Sequence, residues 1–171
     1  MPPELHFDPS QLDFERVLAG REDIERVNPQ RHEMRQLTAI VHADPSRNLI
    51  VGYKDVTADE FWVRGHMPGY PLMPGVVMCE AAAQLCSYYI MTHGLVQGDF
   101  LGLGGMENVR FRGPVRPGDR LVLVAKGTKM HHRQTIFNVQ GFVGSTMVFH
   151  ADIIGVPLLR QSLTPGPSEE G

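Results

Sequence analysis

Residues 65–84 read GHMPGYPLMPGVVMCEAAAQ, a loop with prolines at 68, 71 and 74 that runs straight into an apolar, alanine-rich segment carrying one carboxylate, Glu80. Pro74-Gly75 is a helix-opening pair, and Gly94 after His93 supplies a stop, so a helix is expected over about 74–93. A helix that is apolar all round has to be buried. In a chain of this length the surface that can bury it is an antiparallel sheet long enough to wrap it.

The flanking sequence supplies that sheet. QLTAIVHA (36–43) and LIVGYKDV (49–56) are β-branched and partly alternating, and DPSRN between them is turn chemistry, so they read as a hairpin. After the helix come FLGLGGMENVRFR, DRLVLVAKGTKMHH, QTIFNVQGFV and TMVFHADIIGV, each strand-like and separated by the turn signals GPVRPG, HHR and VGS. TADEFWVRG, with Thr57 and Glu60 in capping-box spacing, is expected to give one helical turn, and Phe61 and Trp62 read as core or interface packing. The fold class is therefore α+β, a curved antiparallel sheet of about six strands around one long central helix.

The chain divides into an N-terminal helical extension (1–27), a main domain (28–160) and a flexible tail (161–171) rich in Pro, Gly and acid. In the extension, SQLDFERVLA is expected to form a helix over 10–19 with Ser10 as N-cap and Gly20 as stop, and REDIERVNP one further turn. Lys+Arg 16 against Asp+Glu 19 gives a net charge of −3, which excludes the global basic field of nonspecific nucleic-acid binding. Apolar runs stop short of the roughly 18 residues of a membrane span and no signal core is present, which predicts a soluble, cytoplasmic protein. Cys79 and Cys86 lie about 10 Å apart on the helix, too far for a bridge, and read as reduced, buried small hydrophobes.

Two residues are out of place. His66 sits in a loop whose prolines fix φ, so its side chain is presented in a defined direction. Glu80 has no Lys or Arg among its neighbours VVMCEAAAQLC. On a buried face such a carboxyl would favour its neutral form and could act as an acid; on a solvent-facing stripe it would simply pair with Gln84, its i+4 neighbour. Gly75 and Val76 carry free N–H groups at the helix start, and the missing side chain of Gly75 would let a ligand carbonyl approach; a Pro-Gly opening is also a common way to start any helix. A base, an acid and an oxyanion donor are the parts needed for proton abstraction alpha to a carbonyl with loss of a beta-hydroxyl.

The 65–84 block resembles the signature of the FabZ-type 3-hydroxyacyl-acyl-carrier-protein dehydratases, a G-H-x-P-G-x-P-x-x-P-G loop leading into a helix bearing E-A-x-A-Q. The similarity extends to MENVRFRGPVRPGD and more loosely to NPQRHEMRQLTAIVHAD, covering about residues 28 to 156. The resemblance implies the hotdog fold, His66 as catalytic base, Glu80 as catalytic acid, and Gly75 at the thioester carbonyl, with Val76 beside it at the helix start. It implies a site shared between two subunits of a homodimer or of a trimer of dimers, an acyl-carrier-protein or acyl-CoA thioester substrate, and no metal or redox cofactor.

Arg110, Arg112 and Arg116 would then form a patch for the acidic carrier, or else are ordinary solvated edge-strand charge. Where family members often carry aromatic residues, this chain has FLGLGG, so Gly102, Gly104 and Gly105 are expected to widen or reshape the acyl tunnel. The first strand also departs from the family, losing its usual aromatic and apolar opening. Hotdog proteins include thioester hydrolases, and a non-catalytic acyl-binding subunit is a third reading.

Overall fold

Helix α2 (Gly75–Thr92) has almost no solvent face: Met78, Cys79, Ala81, Ala82, Leu85, Cys86, Tyr89 and Ile90 are buried, and so are the polar Gln84 and Ser87. The computed structural model describes residues 3–160, so the tail assigned to 161–171 lies outside the described residues. Pro74 caps α2 at its start; at its end Thr92 Oγ1 donates to Tyr88 O at 2.7 Å, and Gly94 turns the chain away at φ 59°. Both cysteines are free and buried, and burial pushes both thiols up.

Six strands wrap this helix: β1 (Ala39–Asp44), β2 (Leu49–Asp55), β3 (Phe100–Phe111), β4 (Arg120–His131), β5 (Gln134–Val143) and β6 (Thr146–Leu158). All pairings are antiparallel, in the order β1-β2-β4-β5-β6-β3. The β1–β2 turn closes as expected: Asp44 Oδ1 accepts the Ser46 N–H at 3.1 Å and Asn48 takes a left-handed conformation. Leu121, Leu123, Phe137, Val139, Phe149 and Ile153 turn inward to the core around α2. Their alternates Val122, Val124 and Phe142 join Val41, Val51 and Tyr53 in a second apolar cluster on the outer face. A curved antiparallel sheet around one central helix is the hotdog arrangement.

The expected helix over 10–19 does not form. Only Pro9–Gln11 makes a 3₁₀ turn, and its cap is Asp8, which accepts the Ser10 N–H at 2.9 Å. The reason is the outer apolar cluster, over which an irregular segment lays Phe7, Leu12 and Phe14. The Arg120 guanidinium, paired with Asp55 at 2.6 Å, stacks over both Phe14 and Tyr53. The segment then pairs with the free edge of β1, Leu18 N–H donating to Ile40 O at 2.8 Å and Ile40 N–H to Ala19 O at 2.9 Å.

Helix comes later than expected, as α1 (Arg21–Val27), with Asp23 accepting the Gly20 N–H at 3.1 Å and Ile24 buried against the core. The turn expected at Thr57 is likewise not helical. Glu60 Oε1 does accept the Thr57 N–H at 3.4 Å, and it also pairs with Lys54 at 2.8 Å, both side chains nearly buried, while Trp62 enters the core. No helix among the described residues is long and apolar enough to cross a membrane.

The two apolar clusters should differ in weight. Leu85→Ala, at a fully buried α2 position, is expected to destabilise by about 2–5 kcal/mol. Phe14→Ala on the half-covered outer face should lose about 1–2 kcal/mol. Urea midpoints at constant m-value measure both, and an unchanged midpoint for Phe14→Ala would show that the outer cover is dispensable.

Candidate active site

The proline loop is held at both ends. Trp62, 3% exposed, accepts the His66 N–H on its carbonyl at 2.8 Å, and buried Met73 donates its N–H to Val115 O at 2.8 Å. Between them Met67 and Gly69 take left-handed φ values of 57° and 79°, closing a turn in which Tyr70 N–H reaches Met67 O at 2.8 Å. The imidazole of His66 is half-buried and its Nδ1 stands 2.7 Å from the carbonyl of Leu72. A carbonyl can only accept, so Nδ1 carries the proton and the lone pair is on Nε2. Pro71 and Pro74 stiffen the backbone around Leu72, so the tautomer is set by a fixed part of the chain.

His66 lines a cleft of about 540 Å³ together with Gly75, Val76, Met78 and Phe111. At the start of α2, Val77 and Met78 N–H groups both return to Pro74 O, and no side chain caps the helix. The N–H groups of Gly75 and Val76 therefore have no acceptor among the described residues, and the positive end of the helix dipole opens on the cleft. Gly75 is required for a second reason: a Cβ there would stand 2.6 Å from the Phe111 ring, which rests on the helix start.

Glu80 lies elsewhere. It lines a separate cavity of about 240 Å³ between α2, β3 and β6, with Ala83 and Ser87 further along the same helix face. It does pair with Gln84, whose Nε2 donates to Glu80 Oε1 at 2.7 Å, but not on a solvent stripe, because Gln84 is 3% exposed. The Gln84 amide is saturated by residues from before the sheet: Nε2 also donates to Met34 O at 2.6 Å, and Oε1 accepts the Gln36 N–H at 3.0 Å. These partners fix the orientation of the amide. Oε1 of Glu80 is thereby occupied as an acceptor.

The profile of the FabA-like domain matches residues 28–152, most of the chain. The chain belongs to the FabA-like family. Within it, the 3-hydroxyacyl-acyl-carrier-protein dehydratase FabZ of Desulfotalea psychrophila is 35% identical over 74% of this chain and 85% of its own length. FabZ of Chlamydia trachomatis is 31% identical over 87% of this chain and 99% of its own. Among solved structures, the dehydratase heterocomplex ApeI:P of Xenorhabdus doucetiae shares the fold with TM-score 0.70 at 15% identity, over 82% of this chain and 93% of that one.

Against this FabA-like frame, His66, Gly75 and Val76 come together in one cleft and Glu80 stays apart in the other. Of the three glycines expected to widen or reshape an acyl tunnel, Gly102 lines the Glu80 cavity and Gly104 and Gly105 do not. A Cβ on each would point at Leu158, Val156 and Ile154, which lie on the other face of the sheet from Ile153. Gly155, also in the cavity wall, would point a Cβ at Leu101 and Thr135. Among the described residues no three His, Cys, Asp or Glu side chains gather closely enough to hold a metal ion.

Arg110 and Arg112 are exposed on either side of Phe111 and converge on His150, to whose Nδ1 Arg112 Nε donates at 3.2 Å. Burial, then Arg112 and Arg110, hold the His150 imidazole below its ordinary value. Arg116 stands apart, bonded to the Tyr70 hydroxyl and stacked 5.1 Å from its ring at the loop. Sequence reasoning named Gln84 as a partner of Glu80 but not its burial, and it missed Phe111.

Replacing Gln84 by Leu should destabilise by about 1–3 kcal/mol, because Met34 O and Gln36 N–H lose their partners; a denaturant midpoint equal to wild type would contradict this. For His150 the unfolded chain takes up the proton first, so its contribution is full above the free value of 6.5 and is lost as pH falls. Melting temperature between pH 7 and 5 should therefore drop less steeply in His150→Gln than in wild type.

Proposed function

We propose that the protein is a hydro-lyase that removes water from (3R)-3-hydroxyacyl thioesters carried by acyl-carrier protein, giving trans-2-enoyl thioesters in fatty-acid biosynthesis. The observation that carries this reading is an uncapped helix N-terminus sharing a cleft with a histidine whose Nε2 is free to accept a proton. Membership of a family whose curated relatives are dehydratases supports it.

The thioester carbonyl sits at the Gly75 and Val76 N–H groups, where the helix dipole stabilises the enolate-like oxygen. His66 Nε2 takes the proton from C2, and that electron pair forms the C2–C3 double bond. The C3–O bond breaks as Glu80 gives its proton to the leaving hydroxyl, which departs as water. Transfer of the His66 proton to Glu80 through solvent resets the site.

One chain holds these groups in two cavities, so the complete site takes His66 from one subunit and Glu80 from its partner. The dimer forms through β3, a twelve-residue edge strand with Leu103, Met106 and Phe111 each 40–51% exposed. Arg110, Arg112 and Arg116 around the cleft receive the acidic carrier protein, and the enzyme works in the cytoplasm.

Hydration of a crotonyl thioester, the reverse reaction, tests the assignment. His66→Ala and Glu80→Ala should each lower the rate by on the order of 10²–10⁴. Mixing the two inactive proteins should restore about a quarter of wild-type activity, since half of random dimers are mixed and each retains one intact site. Wild-type rates in both variants would overturn the proposal, as would thiol release from the ester without hydration.

A further inference from the structure

We infer that the acyl chain of the substrate carries a hydrogen-bonding group, a hydroxyl in the simplest case, that docks beside Ser87 at the far end of the Glu80 cavity. This deepens the dehydratase reading and rests on it. Glu80, Ala83 and Ser87 line the cavity along one face of α2, so a substrate with C3 at Glu80 lays its remaining carbons toward Ser87. An alkyl chain in a closed pocket wants apolar walls. Here the Ser87 side chain is 96% buried by the protein, at 4% exposure, yet its Oγ has no hydrogen-bond partner among the described residues.

Among the described residues one further orphan group lines the same cavity and another lies behind its wall. Gln30 lines it with its buried Oε1 unpartnered. Thr135, 1% exposed, also has an unpartnered hydroxyl. Thr135 pairs with Gly155 across the β5–β6 ladder, and its Oγ1 lies 2.8 Å from where a Cβ on Gly155 would stand. Gly155 lines the cavity, so the threonine hydroxyl lies buried just behind a position that carries no side chain.

The chemistry of the three groups narrows the ligand. Gln30 Oε1 only accepts, whereas the two hydroxyls both donate and accept, so a neutral hydroxyl on the substrate can satisfy all of them in turn. No Lys or Arg lines the cavity, which disfavours a carboxylate. A plain alkyl end would leave the buried groups unpaired, and a site built this way rejects the analogue lacking the polar group. From Glu80 to Ser87 is two helical turns, about 10 Å, which an extended zigzag chain advancing about 1.25 Å per bond spans in roughly eight bonds beyond C3, seven carbon–carbon bonds to C10 and then the C10–O bond.

The test compares pantetheine thioesters of (3R)-3-hydroxydecanoate and its 10-hydroxy derivative on the full-length enzyme. Wild type should favour the 10-hydroxy substrate by about tenfold in kcat/KM. Ser87→Ala should bring that ratio toward one by improving the plain substrate and impairing the hydroxylated one, and Thr135→Val should act in the same direction. Good turnover of both substrates with equal kcat/KM, unchanged in the variants, would overturn the polar subsite and leave the dehydratase reading intact. Failure of wild type on both these thioesters and on crotonyl pantetheine would remove the reaction itself, and the subsite with it.

Discussion

Burial of α2 on all sides is the constraint from which the rest of the structure follows. A helix of eighteen residues whose middle is Cys79, Ala81, Ala82, Leu85, Cys86 and Tyr89 needs cover around its whole circumference. One concave sheet face supplies most of it, and α1 together with residues 28–36 supplies the remainder. Covering the helix so completely forces any polar group on it to find an internal partner. Among the described residues Gln84 finds three, Glu80 finds Gln84, and the Ser87 hydroxyl finds none.

What the sequence made legible was local. The limits of α2, the β1–β2 hairpin and the four later strands all follow from short-range signals, namely Pro-Gly and Gly punctuation, alternation and turn residues, and the structure has them within a few residues of expectation. The segment over 10–19 was not legible. Its apolar residues Leu12 and Phe14 can serve a helix or an irregular strap, and what decides between them is an apolar sheet face built by residues 41–142. The side to which Gly102, Gly104 and Gly105 point was equally hidden, because it depends on a register shift between Leu103 and Gly105.

The site divides the same way. His66, Gly75 and Val76 could be read together because loop and helix start are contiguous in sequence, and the cleft collects them. The environment of Glu80 could not, because the groups that make it are distant: Gln36 lies 48 residues from Gln84, and Met34 lies 50. A glutamate and glutamine four apart look alike on paper whether they face open water or a cavity between helix and sheet.

The strap formed by residues 7–19 has a further consequence, for the valency of the chain. An antiparallel sheet has two edges and two faces, and each is a potential attachment point. Here the inner face holds α2, Phe7, Leu12 and Phe14 cover the outer face of β1, β2 and β4, and Ala19 is bonded to the β1 edge. Among the described residues that leaves the twelve-residue β3 as the longest open edge, so a dimer built through it, as proposed, would leave no second long edge along which to grow into a filament.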